Sequence, residues 1–298
     1  MRRAPVSNIF HSATHDGPGI RTVVFFAGCN MRCAWCHNPE SLSKKATLMF
    51  YSDKCIGCGE CGRACEKISL CQGEISLADD CTRCGKCTER CLGDALKLSN
   101  REMTVDEVFS EVAKDITYYR FSGGGVTASG GECLLHPEFL RELFARCKAA
   151  GISTCIESAL CVERESLLAI EDLTDRFILD IKLIDSARHK EYTGVGNEKI
   201  LDNIRYLAGK GKKILVRTPL IPGVTDTKEN LLGILAFLEE VGISSYELLR
   251  YNSLSENKYR AVGMKYRDFG LAQGEDFINS TVAFLAERCE KVKIFYKK

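Results

Sequence analysis

No apolar run in this chain approaches the roughly 20 residues that a membrane-spanning helix needs. An excess of one charge is missing as well: 41 Lys and Arg stand against 40 Asp and Glu, a formal net charge of +1. Nucleic-acid binders and membrane-surface proteins need a basic excess, so neither class is expected and no nucleic acid or membrane is expected as a partner. The opening MRRAPVSNIFHS has two arginines but no apolar segment behind them, and does not read as a signal peptide. The expectation is a cytoplasmic protein. Its 298 residues, 45% hydrophobic, suit one barrel-like α/β domain with an insertion.

What the chain has in excess is cysteine, 17 residues. A reducing compartment does not favour a disulfide framework, and eleven of the cysteines fall into three tight runs with ligand spacing. The first run, CNMRCAWC, places Cys29, Cys33 and Cys36 in a C-x3-C-x2-C pattern. Three thiolates hold only three irons of a four-iron cubane, leaving the last open to an exogenous ligand, much as a catalytic zinc keeps a free position. Zinc is the alternative, but no further Cys or His stands where it would close the site; His37 is adjacent and awkward.

The other two runs, CIGCGECGRAC at 55–65 and CTRCGKCTERC at 81–91, repeat the spacing C-x2-C-x2-C-x3-C. This is the two-cluster ferredoxin spacing, in which the fourth Cys of each run serves the other cluster. Cys55, Cys58, Cys61 and Cys91 then hold one cluster, and Cys81, Cys84, Cys87 and Cys65 the other. The proline usual after the fourth Cys is absent, Glu66 and Leu92 standing there instead. Zinc ribbons are again the alternative. Cys71, Cys133, Cys147, Cys155 and Cys161 read as small buried apolar residues.

Around these runs the pattern divides into residues 1–51 and 100–298, one α/β domain, and an insertion at 52–99 with little apolar periodicity. Strands are predicted at 21–26, 126–129, 153–156, 177–181, 214–218 and 246–250, with a terminal strand at 292–296. Helices fall between them: 105–118 behind a Thr104/Glu107 capping box, 137–150, 163–173, 198–209, 227–241, and one carrying Phe277, Ile278, Val282 and Leu285. Such alternation predicts a parallel sheet and a partial (β/α)6 barrel.

SGGGVTASGGE at 122–132 fits G-x-G-x-x-G/A only by accident, because its glycines precede a strand and no helix opens at their end. It reads as a strand leading into Gly130, Gly131 and Glu132, where bare backbone approaches a ligand. Polar groups then follow each predicted strand: Glu132, Glu157 with Ser158, Asp180 with Lys182, Arg217, and Tyr251 with Asn252. That is the end at which a barrel builds its active site.

These residues resemble the activating enzymes of glycyl radical enzymes, members of the radical S-adenosylmethionine superfamily and relatives of the pyruvate formate-lyase activase. The resemblance runs through HDGPGIRTVVFFAGCNMRCAWCHNPES at 15–41, SGGGVTASGGE, LDIK at 179–182, HKEYTGVGNEKILDNIRYL at 189–207, VRTPLIPGVTD at 216–226 and NKY at 257–259. It implies that Cys29, Cys33 and Cys36 bind the cluster that cleaves S-adenosylmethionine, with Trp35 against the adenine. Gly130, Gly131 and Glu132 would receive the methionyl amino group, Asp180 and Lys182 the methionyl and ribose parts, and Arg217 would add charge. A monovalent cation would take Glu157, Ser158 and Asp180, and Asp16 would face the glycine loop of the partner. Three positions depart from the family: Cys133 replaces a proline, Ser158 a threonine and Asn252 a histidine, the last bearing on a cofactor contact.

The implied reaction uses three [4Fe-4S] clusters, S-adenosylmethionine and an electron from reduced flavodoxin or ferredoxin. It yields methionine, 5′-deoxyadenosine and a radical on a backbone glycine of a partner enzyme. Two rivals remain: a radical maturase that oxidises a peptide side chain, and a non-catalytic iron–sulfur electron-transfer protein. The insertion's place before residue 100 weighs against the first, and the three-cysteine run with its open iron against the second.

Overall fold

The computed structural model describes residues 2–71 and 73–296, so residues 1, 297 and 298 of the expected barrel and residue 72 of the insertion lie outside it. The strands are β1 (Arg3–Ala13), β2 (Arg21–Phe26), β3 (Leu48–Phe50), β4 (Ile68–Cys71), β5 (Glu74–Leu77), β6 (Leu96–Leu98) and β7 (Arg101–Thr104). They continue as β8 (Gly125–Gly130), β9 (Ser153–Ser158), β10 (Arg176–Asp180), β11 (Ile214–Leu220), β12 (Ser245–Arg250) and β13 (Lys293–Tyr296). Nine of them form one sheet in the order β13-β12-β11-β10-β9-β8-β2-β1-β7.

From β2 to β13 every neighbouring pair is parallel, while β1 and β7 are added antiparallel. The sheet ends on β13 and β7 without closing, which fits the expected partial barrel, the terminal strand continuing the same parallel run. Two of its strands were not expected. β1 and β7 carry no clean alternation, and β1 is held by pairing with β2 rather than by its own pattern.

Helices cover the outer face because their apolar stripes match the buried strands. Lys228–Val241 starts where Thr227 accepts from the Asn230 amide, buries Leu231, Ile234, Leu235 and Leu238, and stops at Gly242 in the left-handed region. The capping box at Thr104 and Glu107 is complete, but the helix it opens ends at Ala113, and a separate one covers Ile116–Ser122. Asp115 sits at the break. Its carboxylate accepts from Thr22 Oγ1 at 2.6 Å and lies 2.6 Å from His11 Nδ1, joining the helical layer to β2 and β1. That tertiary tie outweighs the local helix pattern. The segment expected as a helix at 163–173 is likewise a short helix, Arg164–Leu168, followed by a tight turn.

The insertion stands on a ribbon of β3 paired with β6, closed where the Ser99 amide donates to the Thr47 carbonyl at 2.9 Å. β4 and β5 pair beyond it. Each cysteine run is followed through the same path: a glycine with φ of 70° or 85° (Gly59, Gly85) and one short helix, Glu60–Ala64 or Lys86–Glu89. The order is strand, helix, strand, twice over, with the outer strands paired together and the inner strands paired together. Among the described residues no helix is long and apolar enough to cross a membrane.

Thr104→Ala removes one half of the capping box and is expected to lower stability by about 1 kcal/mol. The midpoint of anaerobic urea unfolding should fall with its slope unchanged, and Thr104→Ser should stay close to wild type; an unshifted alanine variant would show the cap to be dispensable.

Candidate active site

The C-terminal ends of the parallel strands open into one cleft of about 720 Å³, within the range that encloses a cofactor-sized ligand. Asp16, Cys29, Cys33, Trp35, Cys36, Gly130, Gly131, Glu132, Glu157, Ser158, Asp180, Lys182, Arg217 and Asn252 all line it. Residues up to 236 positions apart in sequence, from Asp16 to Asn252, are thus brought together by six strand ends and the connector after β1.

The loop after β2 carries the three thiols. It is pinned by the Arg32 amide donating to Thr193 O at 2.7 Å and the Ala34 amide to Tyr192 O at 2.9 Å. From the far side the Lys258 ammonium donates to Glu40 at 2.6 Å, to Asn38 Oδ1 at 2.9 Å and to the His37 carbonyl at 3.1 Å. The NKY segment therefore serves the cysteine loop. Burial pushes the Cys33 thiol up to about 12 and that of Cys36 up to about 11, and raises Cys29 as well. Thiols so desolvated keep their protons unless a strongly cationic group arrives. The Met31 amide already points at Cys29 Sγ, 3.4 Å away.

Gly130 and Gly131 are glycine for a reason other than ligand approach. A Cβ on Gly130, whose φ is +117°, would lie 2.3 Å from the Phe26 carbonyl oxygen, and one on Gly131 would lie 2.4 Å from that of Gly28. Bare backbone lets β8 press against the root of the cysteine loop, where the Gly131 amide donates to Phe26 O and the Glu132 amide to Gly28 O. Glu132 behind them is 1% exposed. Ser158 Oγ donates to it at 2.7 Å and the Leu134 amide at 3.2 Å. Burial nevertheless pushes its carboxyl up to about 7 against those bonds.

Glu157, Ser158 and Asp180 each meet a different partner. Glu157 pairs with Arg217 at 3.0 Å and accepts from Ser129, Ser158 donates to Glu132, and Asp180 pairs with Lys182 at 2.6 Å. Burial would lower Lys182, but Asp180, with Cys33 and Cys29, holds its ammonium above the ordinary value. Among the described residues no group of three or more His, Cys, Asp or Glu is gathered tightly enough for a single metal ion.

Arg217 is also bound to Glu247, 1% exposed, and donates to the His15 carbonyl. Glu247 escaped the sequence reading; its signal was a lone acid inside the strand SYELLR. The neighbouring Asp16 is half-buried, with its carbonyl accepting from Thr127 Oγ1 at 2.7 Å. Trp35 is wedged between the rings of Tyr192 and Phe269. Asn252 turns its side-chain oxygen to the Leu254 amide, while its carbonyl lies 3.0 Å from His37 Nε2.

In the insertion, Cys55, Cys58 and Cys61 share a small apolar cavity with Cys91 of the other run. Burial raises the Cys87 thiol, with Cys65, Cys81 and Cys61 adding to the effect, whereas the exposed Cys84 is lowered by the Lys86 amide. Of the cysteines read as small core residues, Cys133, Cys147, Cys155 and Cys161 are buried, but Cys71 is exposed at the end of β4, where the hairpin has no core to cover it.

Residues 23–235 match the family model of the Radical SAM superfamily. The chain is 40% identical to the (2S)-3-sulfopropanediol dehydratase activating enzyme of Klebsiella oxytoca, over 96% of this chain and 95% of that protein. It is 39% identical to the indoleacetate decarboxylase activating enzyme of Tractidigestivibacter scatoligenes, over 89% of this chain and 88% of that one. The crystal structure of Streptococcus suis SuiB bound to the precursor peptide SuiA shares the fold, with a TM-score of 0.56 at 12% identity over 93% of this chain and 48% of that one.

Glu132 supplies a test of the cleft's polarity. Because its folded value, about 7, lies above the ordinary 4.5, the folded chain keeps a proton that the unfolded chain has released, and stability drops as pH rises across that window. Before any cofactor is added, Glu132→Gln should gain on wild type by about 3 kcal/mol between about pH 5 and pH 8. Denaturant midpoints read this; an offset that does not change with pH would mean that the carboxyl titrates normally.

Proposed function

Because this chain belongs to the Radical SAM superfamily, and within it to the activating enzymes of glycyl radical enzymes, we propose which of its residues perform each part of that work. The chain is an oxidoreductase that converts S-adenosylmethionine to methionine and 5′-deoxyadenosine and leaves a radical on a backbone glycine of its partner. When bound, the [4Fe-4S] cluster supplies the electron for this cleavage, and S-adenosylmethionine the group that takes the hydrogen.

Cys29, Cys33 and Cys36 hold that cluster. In a cubane each thiolate takes its own iron, so the three need not converge on one point, and the iron charge offsets the burial that otherwise keeps the thiols protonated. Glu132, with the Gly130–Gly131 backbone, receives the methionyl ammonium, its ionised form favoured by the arriving positive charge. Asp180 and Lys182 take the methionyl and ribose parts. Trp35, braced by Tyr192 and Phe269, offers an apolar face to the adenine. Arg217 adds positive charge, and Asn252 stands at the mouth of the cleft. A monovalent cation beside the cofactor would draw on Glu157, Ser158 and Asp180, whose present partners are Arg217, Glu132 and Lys182. Asp16 accepts a hydrogen bond from the partner's glycine loop, worth about 1.5–3 kcal/mol for a charged acceptor.

The insertion is a ferredoxin-like unit with two further [4Fe-4S] clusters, one on Cys55, Cys58, Cys61 and Cys91, the other on Cys81, Cys84, Cys87 and Cys65. Two observations support it: the twofold strand–helix–strand path, and the cavity that Cys91 shares with the opposite run. Reduced flavodoxin or ferredoxin would be the electron donor, with the insertion as its relay or its docking module. The reading as a whole rests on one observation, that every barrel residue assigned a role lines a single cleft.

Anaerobically reconstituted protein should hold about 12 iron per chain, three cubanes' worth. Changing Cys29, Cys33 and Cys36 together to Ala should remove a third and abolish cofactor cleavage; stoichiometric zinc with little iron would sink the assignment. Replacing Cys55 and Cys81 should slow activation yet leave S-adenosylmethionine binding intact, and loss of that binding would refute their role as relay or docking module. For the function, reduced enzyme, S-adenosylmethionine and the partner should give a glycine-centred doublet in electron paramagnetic resonance that disappears when the partner's glycine becomes alanine. Asp16→Ala should weaken this activation far more than cofactor binding. A small peptide oxidised at a side chain, beside an unmodified partner, would instead mark a maturase.

A further inference from the structure

β1 is 11 residues long, Arg3–Ala13. On one side it pairs with β2 from Val6 to Ala13. On the other, β7 covers only Arg3–Val6. From Ser7 to Ala13 the outer edge of β1 has no strand partner among the described residues. An exposed row of N–H and C=O groups is a template for another chain, and proteins normally blunt it with charge, proline or bulges. The segment SNIFHSA has no Lys, Arg, Asp, Glu or Pro. Register shifts against β2 lie at its two ends, and Asn8, Ile9 and Phe10 between them pair regularly.

A groove of about 400 Å³ runs along this edge, walled by Ser7, Ile9 and His11 on one side and by Asn100, Arg101 and Glu111 on the other. Phe10 is 54% exposed. It pairs with Val23, so it shares a face with Val23 and Phe25, and Phe25 lines the catalytic cleft. The chain leaving β1 goes on to His15 and Asp16, which line the same cleft. The edge therefore runs on along the chain into residues of the cleft wall.

We propose that the Ser7–Ala13 edge is a docking strand: an extended segment of the partner glycyl radical enzyme, adjoining its reactive glycine, pairs with it and fills the groove. The inference rests on the reading as an activating enzyme. The chemistry selects a polypeptide, because a strand edge offers alternating backbone donors and acceptors, and the added strand would set an apolar side chain against Phe10. Backbone pairing fixes the direction of the segment without demanding a sequence. Continuity with Asp16 then brings the next residues of the partner to the cleft.

The test is hydrogen exchange on the cluster-loaded chain with and without its partner. Alternate amides within 7–13 should slow about tenfold or more when the partner is added. In parallel, Phe10→Lys should raise the partner concentration for half-maximal radical formation by about tenfold, with Phe10→Leu within about twofold of wild type. Unchanged exchange at 7–13 while the glycine doublet still forms would overturn the docking strand and leave the activity standing. Absence of the doublet with wild-type protein would remove both. Protection that appears in the chain alone as its concentration rises, with a dimer in sedimentation, would assign the edge to a second copy and overturn the proposal.

Discussion

The cleft depends on Arg217. Its guanidinium, 5% exposed, is held between Glu157 on β9 and Glu247 on β12 and donates to the carbonyl of His15. A buried ion without a partner costs several kcal/mol, so this cation is viable only where both carboxylates and the connector after β1 are in place together. Three strands and a loop distant in sequence are thereby tied by one side chain. Glu157 in turn leans on it, since burial raises its carboxyl above the ordinary value and the Arg217 charge opposes that rise. The pair Asp180–Lys182 repeats the arrangement one strand away. Charge is kept in the cleft by mutual neutralisation, leaving an apolar rim of Trp35, Ile221 and Tyr251 around it.

The cysteine loop is organised by a second set of contacts. Its amides are held by Tyr192 and Thr193, and its exit by Lys258. The backbone of β8 lies against its root only because Gly130 and Gly131 lack side chains. The thiols sit among groups held in place by their own hydrogen bonds and ion pairs, which is how a site lowers the reorganisation that binding would otherwise require. The insertion works the other way. Its core is five buried residues, two of them cysteines, with other thiols packed beside them. So small an apolar set does not stabilise a fold by itself, and the clusters proposed there would contribute folding energy.

Much of the site was legible in the sequence, for reasons that are local. Cysteine spacing within a run is written in a few consecutive residues, and Cys29, Cys33 and Cys36 do line the cleft together. Polar residues at strand ends follow from the barrel's construction, and Glu132, Glu157, Asp180, Lys182 and Arg217 all line the cleft. The helix over Glu198–Gly209 and that over Lys228–Val241 were legible because an apolar stripe and a terminal glycine or cap sit in the same few residues. β1 and the helix break at Asp115 were not, because each is decided by a partner far along the chain.

The cysteine runs, the parallel alternation and the set of polar strand ends can be read from the chain alone, since each depends on residues within a turn or two of one another. How those groups are partnered follows from the three-dimensional packing. It gave Arg217 two carboxylates, put Glu247 in the cleft, set Gly130 and Gly131 against protein backbone, and left the outer edge of β1 from Ser7 to Ala13 without a strand partner among the described residues. The physical reason is that Coulomb pairing, close backbone packing and strand edges are set by distance in space, which spacing along the chain does not encode.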